Sequence, residues 1–64
     1  MVIKINDVEY TYSHTNNNPD FIWDWEDNCA IEPKTEEIYE DVNGNAYVIY
    51  KIDDSVVGTF LNND

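Results

Sequence analysis

The stretch at residues 36–52, EEIYEDVNGNAYVIYKI, predicts a β-hairpin and decides the fold class of this chain. Asn43-Gly44 at its centre is the strongest two-residue hairpin signal, because both residues tolerate the left-handed backbone of a tight turn. A short helix over 35–41, capped by Thr35, is the alternative for the first arm. The two-residue turn predicts the pairs Val42–Asn45, Glu40–Tyr47, Ile38–Ile49 and Glu36–Lys51, with Tyr39, Val48, Tyr50 and Ile52 on one face.

Residues 2–12 predict another hairpin, with Asn6-Asp7 as its turn. The side-chain alternation and the turn agree here, and this agreement is what fixes register in a hairpin. Lys4 then lies opposite Glu9. The apolar face of this hairpin comprises Met1, Ile3, Ile5, Val8, Tyr10 and Tyr12.

Residues 55–61, SVVGTFL, predict a strand that follows an Asp53-Asp54 turn and continues the sheet beyond residue 52. Its alternation of apolar and small residues suits an antiparallel neighbour. The predicted pairs are Val57–Tyr50 and Phe60–Tyr47.

The segment between the hairpins is more ambiguous. Residues 13–20, SHTNNNPD, predict a polar loop, since Asn runs and Asn-Pro favour turns. Residues 21–27, FIWDWED, fit a strand that alternates aromatic and mostly acidic side chains. They also fit a helix within 19–30, capped by Asn18 and with Pro19 at its first position.

These segments predict a single acidic domain over residues 1–64, all-β or β-rich α+β in class. Five or six short strands would form a small antiparallel sheet or barrel. Apolar residues occur on both faces of the last hairpin. They indicate a curled sheet, a barrel, or a sheet with one face covered by a helix or a partner.

The charge of the chain is extreme, because fourteen Asp and Glu residues accompany three lysines and give a net charge of −11. Solubility of a small domain needs a magnitude of only about 2–8, and self-repulsion at this density opposes compaction. Nucleic acid and anionic membranes would repel the chain, so we expect neither as a direct partner. The charge instead predicts a basic, nucleic-acid-binding protein as the partner.

Much of that charge lies within residues 20–41, where nine carboxylates accompany one lysine, Lys34. On a strand, same-face carboxylates repeat about every 6.6 Å, and DNA carries a phosphate per ~3.4 Å of axis on each strand. Such a row can stand in for phosphates in a nucleic-acid-binding groove, although a solvated acidic face is the simpler alternative. The predicted partner-binding residues are Asp24, Glu26, Asp27, Glu36, Glu37, Glu40 and Asp41, with Trp23, Trp25 and Tyr47 as apolar anchors.

The two tryptophans also have an interpretation as core residues, since large aromatic side chains dominate the cores of small domains. The sequence does not separate the core role from the anchor role for Trp23 and Trp25.

Catalysis is not predicted, and neither is a cofactor. His14 and Cys29 have no second ligand at a zinc-binding spacing, and Cys29 lacks a placed base. The run at 41–45, DVNGN, departs from a calcium loop because its glycine comes two places early. A loosely bound divalent ion is the remaining alternative, at Asp20, Asp24, Glu26 and Asp27.

The single cysteine rules out an internal disulfide, whereas secreted domains of this size usually carry several. The chain also lacks a signal-peptide pattern and an apolar run of about 20 residues that would span a membrane. These features predict a cytoplasmic protein.

In size, charge and lack of a catalytic motif, the chain resembles the acidic DNA-mimic inhibitors that phages and mobile elements make. These include anti-CRISPR proteins, anti-restriction proteins and uracil-DNA glycosylase inhibitors. The resemblance implies a stoichiometric inhibitor, cytoplasmic in the bacterial host, that blocks the basic groove of a host defence nuclease or DNA repair enzyme. Two alternatives are a structural or adaptor domain, acting through a sheet edge or as a homodimer, and a weak calcium-binding module.

Overall fold

The computed structural model describes residues 1–62, and in this range the chain forms seven β-strands and no helix. The all-β alternative of the predicted fold class is therefore confirmed. The helices considered within 19–30 and 35–41 do not form, and the seven strands exceed the five or six predicted. The strands are β1 Val2–Ile5, β2 Val8–Asn16, β3 Ile22–Asp24, β4 Cys29–Ile31, β5 Thr35–Glu40, β6 Ala46–Ile52 and β7 Ser55–Asn62.

Five of the strands form one antiparallel sheet in the order β1-β2-β5-β6-β7, which curls into a half-barrel. Strands β3 and β4 form a separate two-stranded sheet, inserted in the chain between β2 and β5. The edges of the large sheet are β1 and β7. None of the described residues belongs to a helix with the length and apolar character of a membrane span.

The first hairpin has the predicted register. Ile5 pairs with Val8, and Lys4 pairs with Glu9. Asn6 and Asp7 adopt φ values of 51° and 67°, as a two-residue turn of the left-handed type requires. The predicted apolar face is therefore correct for this hairpin.

The second hairpin is shifted by one residue from the predicted register. Its loop contains three residues, 42–44, because the Asp41 N–H donates to the Asn45 carbonyl at 3.0 Å. Asp41 Oδ1 stabilises this longer loop by accepting the N–H groups of Asn43 and Asn45, both at 2.8 Å. Gly44 adopts a φ of 85°, which suits the left-handed position that ends such a loop.

A shift of one residue moves side chains to opposite faces of a sheet. Tyr39 therefore lies opposite Tyr47, and Ile38 lies opposite Val48. The predicted face that joined Tyr39 to Val48, Tyr50 and Ile52 is wrong, because Tyr39 lies on the other side of the sheet.

Strand β7 begins in the predicted register, with Ile52 opposite Ser55, and then shifts by one residue. The extra residue is Val57, which has no pair in the ladder. Phe60 consequently lies opposite Val48 rather than Tyr47. A bulge of this kind bends the edge strand and increases its twist.

Strand β2 extends to Asn16, so the predicted loop over 13–20 is wrong in its first half. A bulge between Tyr12 and His14 lets β2 keep pairing with β5. The Tyr12 and Thr15 hydroxyls hydrogen-bond at 2.6 Å on the same strand. Long-range pairing here outweighs the local turn preference of polar residues.

The core lies mainly on one face of the curled sheet. Tyr10 and Tyr39 are each only 4% exposed, and Val48 on the opposite face is the third buried apolar side chain among the described residues. The Tyr10 and Tyr47 ring centroids are 5.9 Å apart, although their strands are two spacings apart, about 9.5 Å in a flat sheet. We call this tyrosine-bearing side the concave face.

The small sheet lies against the other, convex face. Gly58 of β7 makes this approach feasible, because a Cβ atom there would come within 2.9 Å of Ile22 Cδ1. Ile22 pairs with Ile31 in the small sheet, so this pair brings an apolar surface to the convex face. The small sheet thus contacts this face at Gly58, whereas the helix considered as a cover does not form within residues 1–62.

Candidate partner-binding surface

An open groove of about 560 Å³ lies between the small sheet and β7. We call it the aromatic groove, since two tryptophans, a tyrosine and a phenylalanine contribute to its walls. Its lining residues are Ile22, Trp23, Asp24, Trp25, Glu26, Ile31, Tyr50, Val57, Gly58, Thr59 and Phe60.

Neither tryptophan belongs to the core. Trp25 is 83% exposed and Trp23 is 43% exposed. Their ring centroids are 5.9 Å apart with an interplanar angle of 70°, an edge-to-face arrangement that stabilises aromatic pairs. The pair leaves indole surface open to solvent, which is the property that an apolar anchor requires.

The turn between β3 and β4 holds this pair in place. Asp24 Oδ1 accepts the N–H groups of Glu26 and Asp27 at 3.0 and 3.4 Å, and Asn28 closes the turn with a φ of 53°. Asp24 therefore has a structural role in addition to lining the groove. Glu26 and Asp27 are exposed at the tip of the turn.

Glu36 reaches the groove through Tyr50. The two residues pair across β5 and β6, so the Tyr50 phenol and the Glu36 carboxylate share a face of the sheet. Burial, followed by the negative charge of Glu36, raises the pKa of Tyr50 above its ordinary value. Glu36 Oε1 accepts a hydrogen bond from Asn16 Nδ2 at 3.4 Å.

Glu37 lies on the concave face, away from the groove. Its Oε2 forms a 3.1 Å ion pair with Lys51 Nζ, and its Oε1 accepts the Tyr39 hydroxyl at 3.3 Å. Burial first, and then the charge of Glu37, raise the pKa of Tyr39. The predicted pairing of Lys51 with Glu36 is wrong, because the register shift places Lys51 opposite Thr35.

Asp41 and Tyr47 serve the sheet itself. Asp41 organises the loop over 42–44, and its hydrogen bonds, that of the Asn45 amide foremost, lower the pKa of the Asp41 carboxyl. Tyr47 is half-buried against Tyr10. These contacts are sufficient to explain both side chains without a partner.

The structure thus divides the predicted partner-binding residues. Trp23, Trp25, Asp24 and Glu26 line the aromatic groove, and Asp27 lies beside it on the same turn. Glu36 and the exposed Glu40 share the convex face, whereas Glu37 lies on the concave one. The groove and the concave face are therefore two separate surfaces.

Phe60 and Tyr50 are groove residues that the sequence interpretation missed. The sequence interpretation paired Phe60 with Tyr47 instead of Val48, because it did not include the bulge at Val57. The signal for that bulge is Gly58, because a glycine inside a strand marks a bulge or a close backbone approach. In this chain it marks both.

Little of the negative charge is neutralised inside the protein. Residues 1–62 include every carboxylate except Asp64, and in this range the one ion pair is that of Lys51 with Glu37. The exposed carboxylates in this range are those of Asp7, Glu9, Asp20, Glu26, Asp27, Glu32, Glu40, Asp53 and Asp54.

Within the described part of the chain, no three His, Cys, Asp or Glu side chains converge in the way that metal ligands do. Cys29 is an exposed thiol. His14 Nδ1 hydrogen-bonds the neighbouring Ser13 hydroxyl at 2.9 Å on the surface of β2.

No family model, curated protein or solved structure matches this chain. Function therefore has to be inferred from the surface chemistry, in which an exposed aromatic groove is bordered by carboxylates.

Proposed function

We propose that this protein is a stoichiometric inhibitor that binds the basic nucleic-acid groove of a target enzyme and presents carboxylates in place of phosphates. The observation that carries the proposal is an exposed aromatic groove bordered by carboxylates. Within residues 1–62, one ion pair, that of Lys51 with Glu37, is the only one that neutralises a carboxylate, so the surface keeps almost all of its negative charge. The target class is a host defence nuclease or a DNA repair enzyme, in keeping with the resemblance to phage DNA-mimic inhibitors.

The charge supports fast, selective binding to a basic surface. A net charge of −11 on 64 residues creates a strong field, and such fields accelerate association by about 10- to 1,000-fold at low salt. The same field repels nucleic acid and other acidic proteins, so it contributes specificity as well as rate.

The spacing of carboxylates supports phosphate mimicry. Glu36 and Glu40 face the same side of β5, and four residues of a strand span about 13 Å. Four phosphate-to-phosphate steps along one DNA strand, at ~3.4 Å each, span about the same length. Glu26 and Asp27 on the β3–β4 turn add exposed carboxylates beside the tryptophans.

The first experiment identifies the target. The protein is immobilised, bacterial lysate is passed over it, and bound proteins are eluted with a salt gradient and identified by mass spectrometry. We expect a nucleic-acid-binding enzyme that elutes with salt and loses nucleic-acid binding when the protein is added back. An affinity for that enzyme that does not change between low and high salt would contradict the electrostatic basis.

Charge reversal then locates the surface. The triple variant Glu26→Lys, Asp27→Lys and Glu40→Lys changes exposed carboxylates near the groove and on the convex face. We expect association to slow by about 10- to 1,000-fold, with an unchanged circular dichroism spectrum. The matched control carries the same charge change at exposed sites outside the groove lining, at Asp20, Glu32 and Asp54.

The control should retain more of the inhibition than the groove-side variant, because it changes the net charge without changing the surface beside the tryptophans. Equal losses in the two variants would mean that net charge alone acts, and that no defined surface is recognised.

An adaptor domain is the second candidate, because β7 is an edge strand whose Val56 and Phe60 side chains are exposed. Exposed edges can pair with another chain. Sedimentation equilibrium at two concentrations separates the candidates, since a tight homodimer favours the adaptor and a monomer favours the inhibitor.

A further inference from the structure

We infer that the aromatic groove binds an arginine side chain of the basic partner, with the guanidinium stacked on the Trp23–Trp25 pair. This inference rests on the proposed function and specifies its contact chemistry. Aromatic rings and carboxylates line the same groove. The occupant that suits both is a planar group with a positive charge.

The tryptophan pair provides the stacking surface. With centroids 5.9 Å apart and planes at 70°, the two rings form a corner in which a flat group can lie on one ring and meet the other at its edge. A guanidinium within about 6 Å of an indole centroid is attracted by the ring quadrupole, and tryptophan is the best ring for this contact.

Two carboxylates in the lining complement the positive charge. Asp24 Oδ1 is engaged by the N–H groups of the turn at 3.0 and 3.4 Å, which fixes the carboxyl group and leaves Oδ2 outside that turn. Glu26 is exposed. Arginine suits these groups better than lysine, because its planar fork stacks on rings and pairs with carboxylates, and it is less strongly hydrated.

The remaining walls suit the stem of an arginine. Ile22, Ile31 and Phe60 supply apolar surface to the groove, along which the methylene groups of a long cationic side chain can pack while its head meets the carboxylates. An apolar partner residue would bury itself beside acidic groups without neutralising them. A second copy of the chain would bring a further net charge of −11 into contact.

The affinities of nona-arginine and nona-lysine test the inference. The two peptides carry equal side-chain charge, but the planar guanidinium of arginine stacks on an indole ring better than the ammonium of lysine does. Trp23 and Trp25 are the only tryptophans in the chain, so their fluorescence reports directly on the groove. We expect salt-dependent binding of both peptides, with nona-arginine about two- to five-fold tighter. In Trp25→Ala this preference should decrease by about two-fold, because one of the two stacking rings is lost, with Trp23 still reporting binding.

Phe21→Ala is the matched control, because Phe21 is an exposed aromatic residue outside the groove lining, and it should keep the preference. Equal affinities for the two peptides in the unmodified protein would overturn the arginine inference and leave the proposed function standing. A preference that is undiminished in Trp25→Ala, or that Phe21→Ala reduces as much, would also overturn it. Absence of salt-dependent binding to either peptide would contradict the proposed function itself.

Discussion

The two aromatic clusters of this protein differ in burial although their ring spacing is the same. Tyr10 and Tyr47 on the concave face and Trp23 and Trp25 at the groove both have ring centroids 5.9 Å apart. Yet Tyr10 is 4% exposed and Trp25 is 83% exposed. Ring contact alone therefore does not make a core, because burial requires further elements packed around the pair.

The difference follows from where each cluster lies in the fold. The tyrosines belong to central strands of a curled five-stranded sheet, so neighbouring strands enclose them. The tryptophans belong to a two-stranded sheet with three-residue strands, and a hairpin of this size cannot enclose its own aromatic side chains. We interpret the concave face as the stabilising cluster and the groove as the recognition surface.

The largest expected effect comes from truncating one residue of each cluster. Tyr10→Ala removes a buried ring and should lower the free energy of unfolding by about 3–5 kcal/mol, which can unfold a domain of this size. Trp25→Ala should change it by less than about 0.5 kcal/mol, since its ring is exposed. Urea denaturation followed by circular dichroism measures both. Comparable losses would mean that the groove is part of the core.

A smaller effect is expected at the contact between the two sheets. Gly58→Val introduces a branched side chain where Ile22 Cδ1 lies 2.9 Å from the first added carbon, and it should lower the free energy of unfolding by about 1–3 kcal/mol.

Gly58→Ala is the matched control, because the end of the flexible Ile22 side chain can move away from a single methyl group. The near-ultraviolet circular dichroism of the tryptophans should change in Gly58→Val and stay close to the original in Gly58→Ala. An unchanged spectrum in Gly58→Val would show that the small sheet does not depend on this contact.

The smallest expected effect is a change in the pKa of one tyrosine. It tests whether the charges on the concave face act independently of those beside the groove. Burial and Glu37 raise the pKa of Tyr39, while an unfolded tyrosine ionises near pH 10. The contribution of this phenol to stability is therefore complete below about pH 10 and is lost as the pH rises through the folded pKa. Glu37→Gln removes a nearby negative charge, so it should lower the pKa of Tyr39.

Ultraviolet titration of tyrosinate measures this shift, and Tyr39→Phe identifies the transition. Glu36→Gln is the matched control, because it should lower the pKa of Tyr50 beside the groove and leave Tyr39 unchanged. If both Gln variants alter the same transition, the two surfaces are not independent.

The candidate site could be predicted from the sequence only in part. The tryptophans and the carboxylates of the β3–β4 turn are close in sequence, so their proximity in the groove follows from one short hairpin. Phe60 and Tyr50 come to the groove from distant segments, and no local pattern indicates which face of the sheet they occupy.

The sequence by itself determined a β-rich class, the first hairpin with its register, and the concentration of negative charge. These properties depend on composition, on side-chain alternation and on one tight turn, all of which are local. The tertiary structure decided the register of the second hairpin, through the hydrogen bonds of Asp41, and the bulge at Val57. It also decided which side chains Glu36 and Glu37 lie beside, Tyr50 and Lys51 respectively, because a single-residue shift changes every cross-strand neighbour in a sheet.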